Sequence, residues 1–255
     1  MSKNTESLIS QLLDAASAAG ADGADAGMSR SEGTSVTVRL GKVESSERSE
    51  DIGAALRVFV GKRNASVSTS QLDSDSIVEL AERAVAMARV APEDPYVRLA
   101  TAEEVAGTLP EIDLYDDAVP AVEHLTETAT AVEAAALSND GITNSEGGSA
   151  SHGEAHMMIA TSNGFSANYK RSSQGFSAVV IAEKDGAMER DYDYSAAVYG
   201  ADLDAPEDVG NSAAKRTLSR LGPQKPPTGH FPVIYDQRVS GSIVGTLASA
   251  INGAA

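Results

Sequence analysis

The 255-residue sequence contains no cysteine and no tryptophan, and only four phenylalanines. Without thiols the chain has no disulfide framework, no thiolate nucleophile and no cysteine metal ligand. Scarce aromatics make its core aliphatic, and the 42% of hydrophobic residues is enough for one or two folded domains. Positive charge is also short: 20 Lys and Arg face 37 Asp and Glu, a formal net charge of -17, with no basic stripe to override it locally. Phosphate backbones and anionic lipid are therefore repelled, which argues against nucleic-acid and membrane-surface roles, while acidity itself favours solubility. The N-terminus leads into an amphipathic pattern instead of the apolar core of a signal peptide, so a cytoplasmic address is expected.

Periodicity gives an α+β chain. Leu8, Ile9, Leu12, Leu13 and Ala16 predict a first helix, capped at Asn4 or Thr5 and stopped at Gly20, with a Gly/Ala/Asp turn after it. From Thr34 alternation takes over. A Gly41-Lys42 turn, a second extended pair and the turn Gly61-Asn64 make residues 34–70 an antiparallel meander. Asp73 or Asp75 caps a helix with the stripe Ile77, Leu80, Ala84 and Ala88. The same order repeats in a helix near 120–138, extended stretches from Ile142 to Tyr199, and a helix capped at Asp204 that ends near Leu221. The expected architecture is two helix-meander-helix units with antiparallel sheets, at 1–110 and 111–222. A proline-rich linker and the beginning of a truncated, mostly β C-terminal domain follow at 223–255. There Phe231–Asp236 reads as a buried strand and Asp236 as a helix cap. The apolar run Gln237–Ala255, with Arg238 its only charge, reads as an unfinished element of a longer protein.

Candidate chemistry is sparse. His152, Glu154 and His156 are the one cluster with metal-ligand spacing, but nearby glycines favour a strand, where the two imidazoles sit about 13 Å apart along the backbone. The competing reading is a row of solvent-facing polar residues. His124 reads as an exposed helical residue, and Asp191 with Asp193 as a chance carboxylate pair on one strand face. Neither a serine nucleophile elbow nor a phosphate-binding loop is present. Asn144, Ser145, Glu146 and Gly147, and likewise Asn163 with Gly164, read as chain reversals: either plain strand connections or the lining of a groove for a peptide or partner.

Gly41-Lys42-Val43-Glu44, Arg57-Val58-Phe59, Gly61-Lys62-Arg63, Asn144-Ser145-Glu146-Gly147, Ser162-Asn163-Gly164-Phe165 and Arg190-Asp191-Tyr192 occur in an order and spacing that resemble the TldD/PmbA family, in its PmbA (TldE) branch. The resemblance implies a cytoplasmic two-subunit zinc protease acting on peptides or small unfolded proteins. In it, one subunit carries a His-Glu-x-x-x-His helix. The equivalent positions here fall on Gly245, Thr246, Leu247, Ala248, Ser249 and Ala250, none able to bind zinc or act as a base. The expectation is a non-catalytic subunit with no cofactor of its own, zinc residing in a TldD-like partner, and a homodimer as the alternative assembly. Two rival readings remain open here: an active zinc peptidase built on His152, Glu154 and His156, and a stand-alone binding or assembly module.

Overall fold

The structure, a computed structural model, describes residues 2–101, 103–105 and 107–251. Its compact unit, Met1–Leu221, is built on one six-stranded antiparallel sheet in the order β3-β2-β1-β4-β5-β6. The chain runs α1 (Ser2–Ala18), β1 (Gly23–Arg39), β2 (Lys42–Val60), β3 (Arg63–Thr69), α2 (Ser74–Val90), α3 (Val122–Leu137), β4 (Ile142–Thr161), β5 (Ser166–Lys184), β6 (Ala187–Ala197) and α4 (Pro206–Ser219). The α+β class and the repeated helix-meander-helix order are as expected. Both meanders join through the β1–β4 pairing from Asp25↔Thr161 to Val38↔Gly148, so they form one continuous sheet.

β1 explains this union. Its even-numbered side chains all point to one face. At its start Ala24, Ala26 and Met28 pack with Leu56 and Val58 of β2 beneath α1 and α2. At its end Val36 and Val38 pack with Phe176 and Val180 of β5 beneath α3 and α4. One strand thus feeds two separate cores, and each fully buried Leu, Ile or Val in them contributes about 1.5–3 kcal/mol.

Local chemistry sets the helix ends. Gly20, at φ +96°, closes α1: its N–H reaches Ser17 O and the Ala21 N–H reaches Ala16 O, the paired bonds of a left-handed helix stop. Asp73 caps α2 by accepting from Ser76 N at 3.0 Å. Helix α3 sits unusually close to its neighbours. A Cβ built on Gly148 of β4 would lie 2.3 Å from Ala129 O, and one on Gly210 of α4 would lie 2.5 Å from Val132 O. Only hydrogen fits in those gaps.

Several expectations need correction. Helix α1 begins at Ser2, which places Asn4 and Thr5 inside it. The turn after α1 is confined to residues 19–22, and the Gly/Ala/Asp residues from Gly23 on are already the first half of β1, where alanines buried under helices replace the usual β-branched pattern. β2 is a single strand of 19 residues, so residues 23–69 hold three strands, and its hairpin turn is Leu40-Gly41, both at positive φ. Ala205, not Asp204, stands at the cap of α4, with Pro206 in the first turn; Asp204 instead accepts from Ser195 Oγ. The other unit, Gly222–Ala255, contains α5 (Gln237–Ala250), capped by Asp236, which accepts from Arg238 N at 2.9 Å. Phe231–Asp236 is exposed coil: six residues with no neighbouring strand have nothing to satisfy their backbone groups as a sheet.

Candidate functional site

Between its two cores the helix-facing side of the sheet turns polar. Register puts Arg30, Glu32 and Thr34 of β1 opposite His156, Glu154 and His152 of β4, and these in turn opposite Lys170, Ser172 and Gln174 of β5. Nine polar side chains therefore form a seam across three strands between the two helix pairs, with Thr5 and Glu6 of α1 bordering its Arg30–His156–Lys170 end. The segment after Pro110, which carries Leu114, Tyr115 and Asp116, lies over this seam.

That strap is tied down bond by bond. Ser172 N donates to Leu114 O at 3.0 Å, and Asp116 N donates to Ser172 Oγ at 2.8 Å. The Asp116 carboxylate accepts from Gly200 N, Ala118 N and Gln174 Nε2 at 3.0–3.1 Å. The Gly200 and Ala118 N–H groups, in that order, hold its pKa below the usual carboxylate value. Tyr199 donates to the Asp113 carboxylate and, at 3.1 Å, to Tyr115 O.

Tyr115 is the centre of the cluster. Its hydroxyl donates to Glu154 Oε2 at 2.9 Å, its ring meets His156 edge-on at 6.3 Å between centroids, and Lys170 Nζ sits 5.0 Å from its ring centre. Glu154 raises the Tyr115 pKa through this bond, because ionising the phenol would put two negative charges in contact. Burial, then the Lys170 charge, lowers the His156 pKa, so the imidazole is neutral at pH 7. A cavity of about 420 Å³ opens beside it, lined by Met28, Arg30, Ile52, His156, Met158 and Lys170 among others.

His152, Glu154 and His156 do share one strand face, but the solvent-facing reading is wrong for His152, which is 6% exposed with Nε2 buried and unpartnered. The cores on either side and the strap above exclude water there. As a zinc set the three fit poorly: one Glu154 oxygen is occupied by Tyr115. Among the described residues no group of three or more His, Cys, Asp or Glu is placed to hold a metal ion. Asp191 and Asp193 are ion-paired with Arg220 and Arg216 at 3.3 and 3.2 Å, so the two carboxylates serve separate salt bridges. His124 is exposed on α3.

The two groove turns lie at opposite ends of β4. Thr161–Phe165 is the β4–β5 reversal, with Gly164 at φ +95°. Asn144–Gly147 is no reversal. It is a bulge inside β4 where the register to β5 shifts twice, Ser145 is buried, and Gly147 takes φ +129°. Roughly 50 Å of strand separates them, so they do not line one groove. Tyr115 and Asp116 were not legible as site residues. Their only sequence signal is the acidic stretch Asp113-Leu114-Tyr115-Asp116-Asp117, which precedes the helix of the second unit.

These features define an α+β chain on one antiparallel sheet, with a polar seam strapped by the segment that precedes α3. Family models agree: "PmbA/TldA metallopeptidase domain 1" matches residues 24–88 and "PmbA/TldA metallopeptidase central domain" matches 115–221. Metalloprotease PmbA of Escherichia coli O157:H7 is 36% identical over 98% of this chain and 56% of its own length. A PmbA homolog of Haemophilus influenzae is 33% identical over 96% and 54%. The chain belongs to the PmbA/TldD metallopeptidase family and spans about half the length of these relatives. A Bacteroides thetaiotaomicron crystal structure described as a modulator of DNA gyrase superposes with TM-score 0.89 at 25% identity, over 98% of this chain and 58% of that one. TldE from Thermococcus kodakarensis, at 15% identity, TM-score 0.63, and 83% and 47% coverage, shares the fold. No helix among the described residues is long and apolar enough to cross a membrane.

Proposed function

We propose that this chain is the subunit without its own metal centre in a cytoplasmic two-subunit zinc peptidase, pairing with a TldD-like homologue and holding peptides or small unfolded proteins for it. The observation that carries the reading is the composition of α5. A hydrolytic zinc needs about three protein donors and an open position for water. At the positions equivalent to the family's His-Glu-x-x-x-His motif, α5 offers Gly245, Thr246, Leu247, Ala248, Ser249 and Ala250: hydrogen, hydroxyl and hydrocarbon. Such residues do not fit zinc.

The rival zinc set on β4 is disfavoured by the Tyr115–Glu154 bond and the burial of His152. Peptide handling draws support from the sheet, whose strands leave long edge segments unpaired and able to align an extended chain. Purification alone and together with a His-Glu-x-x-x-His homologue, followed by metal analysis and a peptide-cleavage assay, tests the proposal. Zinc in the homologue and cleavage by the pair only are the expected results. Stoichiometric zinc in this chain, lost in His152→Ala or His156→Ala, with cleavage by the isolated chain, overturns it.

A further inference from the structure

β6 pairs with β5 only from Gln174 to Lys184, and β3 pairs with β2 only from Ala54 to Val60. Two strand edges therefore have no strand partner, Lys42–Gly53 of β2 and Ser166–Arg171 of β5, the second bordered at Ser166 by Val105 and Gly107–Leu109. Their chemistry differs sharply. The β2 edge carries Glu44, Glu47, Glu50 and Asp51 against Lys42 and Arg48, a charged edge that resists pairing with other strands. The β5 edge, Ser166-Ala167-Asn168-Tyr169-Lys170-Arg171, has no acidic residue in a chain of net charge -17. Among the described residues neither Lys170 nor Arg171 enters an ion pair.

The edge is already used once. Ser172 N points away from β4 and donates to Leu114 O, a carbonyl in the acidic strap segment Glu111–Asp117. Period-two geometry then turns the N–H and C=O groups of Lys170, Asn168 and Ser166 the same way. No backbone bond from residues 166–171 to anything but strand partners or the adjoining turn is present among the described residues. Lys170 projects to the seam side, where it touches Tyr115, and Arg171 projects to the opposite face. A strand laid along this edge thus meets one cation on each of its faces.

We propose that the β5 edge from Ser166 to Arg171 binds an extended acidic peptide, whose backbone pairs with Asn168 and Lys170 and whose neighbouring carboxylates pair with Lys170 and Arg171. This deepens the peptide-holding reading above and rests on it. The peptide continues, over about 20 Å of edge, the pairing that Leu114 begins at Ser172.

The test uses the whole chain and three acetylated, fluorescein-labelled hexapeptides, Thr-Val-Glu-Glu-Val-Thr and its Gln-Gln and Lys-Lys counterparts, read by fluorescence anisotropy. The Glu-Glu peptide should bind about tenfold more tightly than Gln-Gln in 20 mM salt, and the gap should close near ~0.5 M. Lys170→Glu with Arg171→Glu should reverse the order. Asn168→Pro, which removes an outward donor that β4 does not use, should abolish binding while the circular dichroism spectrum is unchanged. Amide exchange at Asn168 and Lys170 should be fast in the free chain and slow with peptide. Equal affinity for all three peptides overturns this inference but leaves peptide holding intact. Failure to bind any of them overturns both. Undiminished binding by the proline variant, or slow exchange in the free chain, places peptide elsewhere and overturns the edge assignment.

Discussion

Glu133 is buried to 1% exposure on α3, yet its carboxylate belongs to another part of the sheet: Oε1 accepts from Leu40 N and Oε2 from Gly41 N, both at 2.9 Å. Those N–H groups belong to the β1–β2 turn, where Leu40 and Gly41 hold φ +50° and +72°. In Glu133→Ala both bonds disappear. A hydrogen bond to a charged acceptor contributes about 1.5–3 kcal/mol. Leu40 is 57% exposed, so water can reach the freed donors, which keeps the loss at the low end, about 3 kcal/mol for the pair. For a unit of this size that is roughly 6–12 °C in Tm. Glu133→Gln retains one acceptor oxygen and should lose about half as much. Urea unfolding followed by far-ultraviolet circular dichroism reads both variants. An alanine variant within about 0.5 kcal/mol of the parent at equal m-value would refute the claim that this carboxylate locks the turn to α3.

Three further outcomes follow from the geometry. Gly148→Ala forces a methyl group to within 2.3 Å of Ala129 O and should cost about 2 kcal/mol or more, with α3 displaced; urea unfolding measures it. Tyr199 has its pKa pushed up to about 12 because it donates to the Asp113 carboxylate. Since the folded pKa lies above the unfolded value near 10, this contact stabilises fully below pH 10 and is lost as pH rises toward 12. Ultraviolet titration should show late phenols, Tyr115 and Tyr199, of which only the Tyr199 phase moves earlier in Asp113→Asn. Finally, Lys170→Ala should raise the His156 pKa, because the positive neighbour that disfavours imidazolium is gone; the C2-proton NMR titration should shift upward while staying below the ordinary 6.5, as burial remains the larger cause.

What could be read along the chain was whatever depends on near neighbours in sequence. The stripe Ile77, Leu80, Ala84 and Ala88 gives α2, Asp73 and Asp236 cap the helices that follow them, and Gly20 stops α1, because capping and helical periodicity act within a turn or two. The ligand-free composition of Gly245–Ala250 is likewise a property of the sequence itself. Strand extent was less legible. The alanines of β1 are buried by helices packed over them, not by an intrinsic β pattern, and the charged middle of β2 stays extended because β1 pairs with its whole length.

Tertiary structure alone decided the rest. Glu154 and Tyr115 are 39 residues apart and Glu133 and Leu40 are 93, separations at which no local spacing rule applies. The same sequence position therefore reads as a metal ligand, a surface residue or a buried anchor until the register of β1 on β4 is known. That register is fixed by two hydrophobic cores at opposite ends of one strand, since a slip by one residue would turn Ala26 and Val36 out of both of them. Composition set which side chains are present; the long-range pairing set which of them stand together.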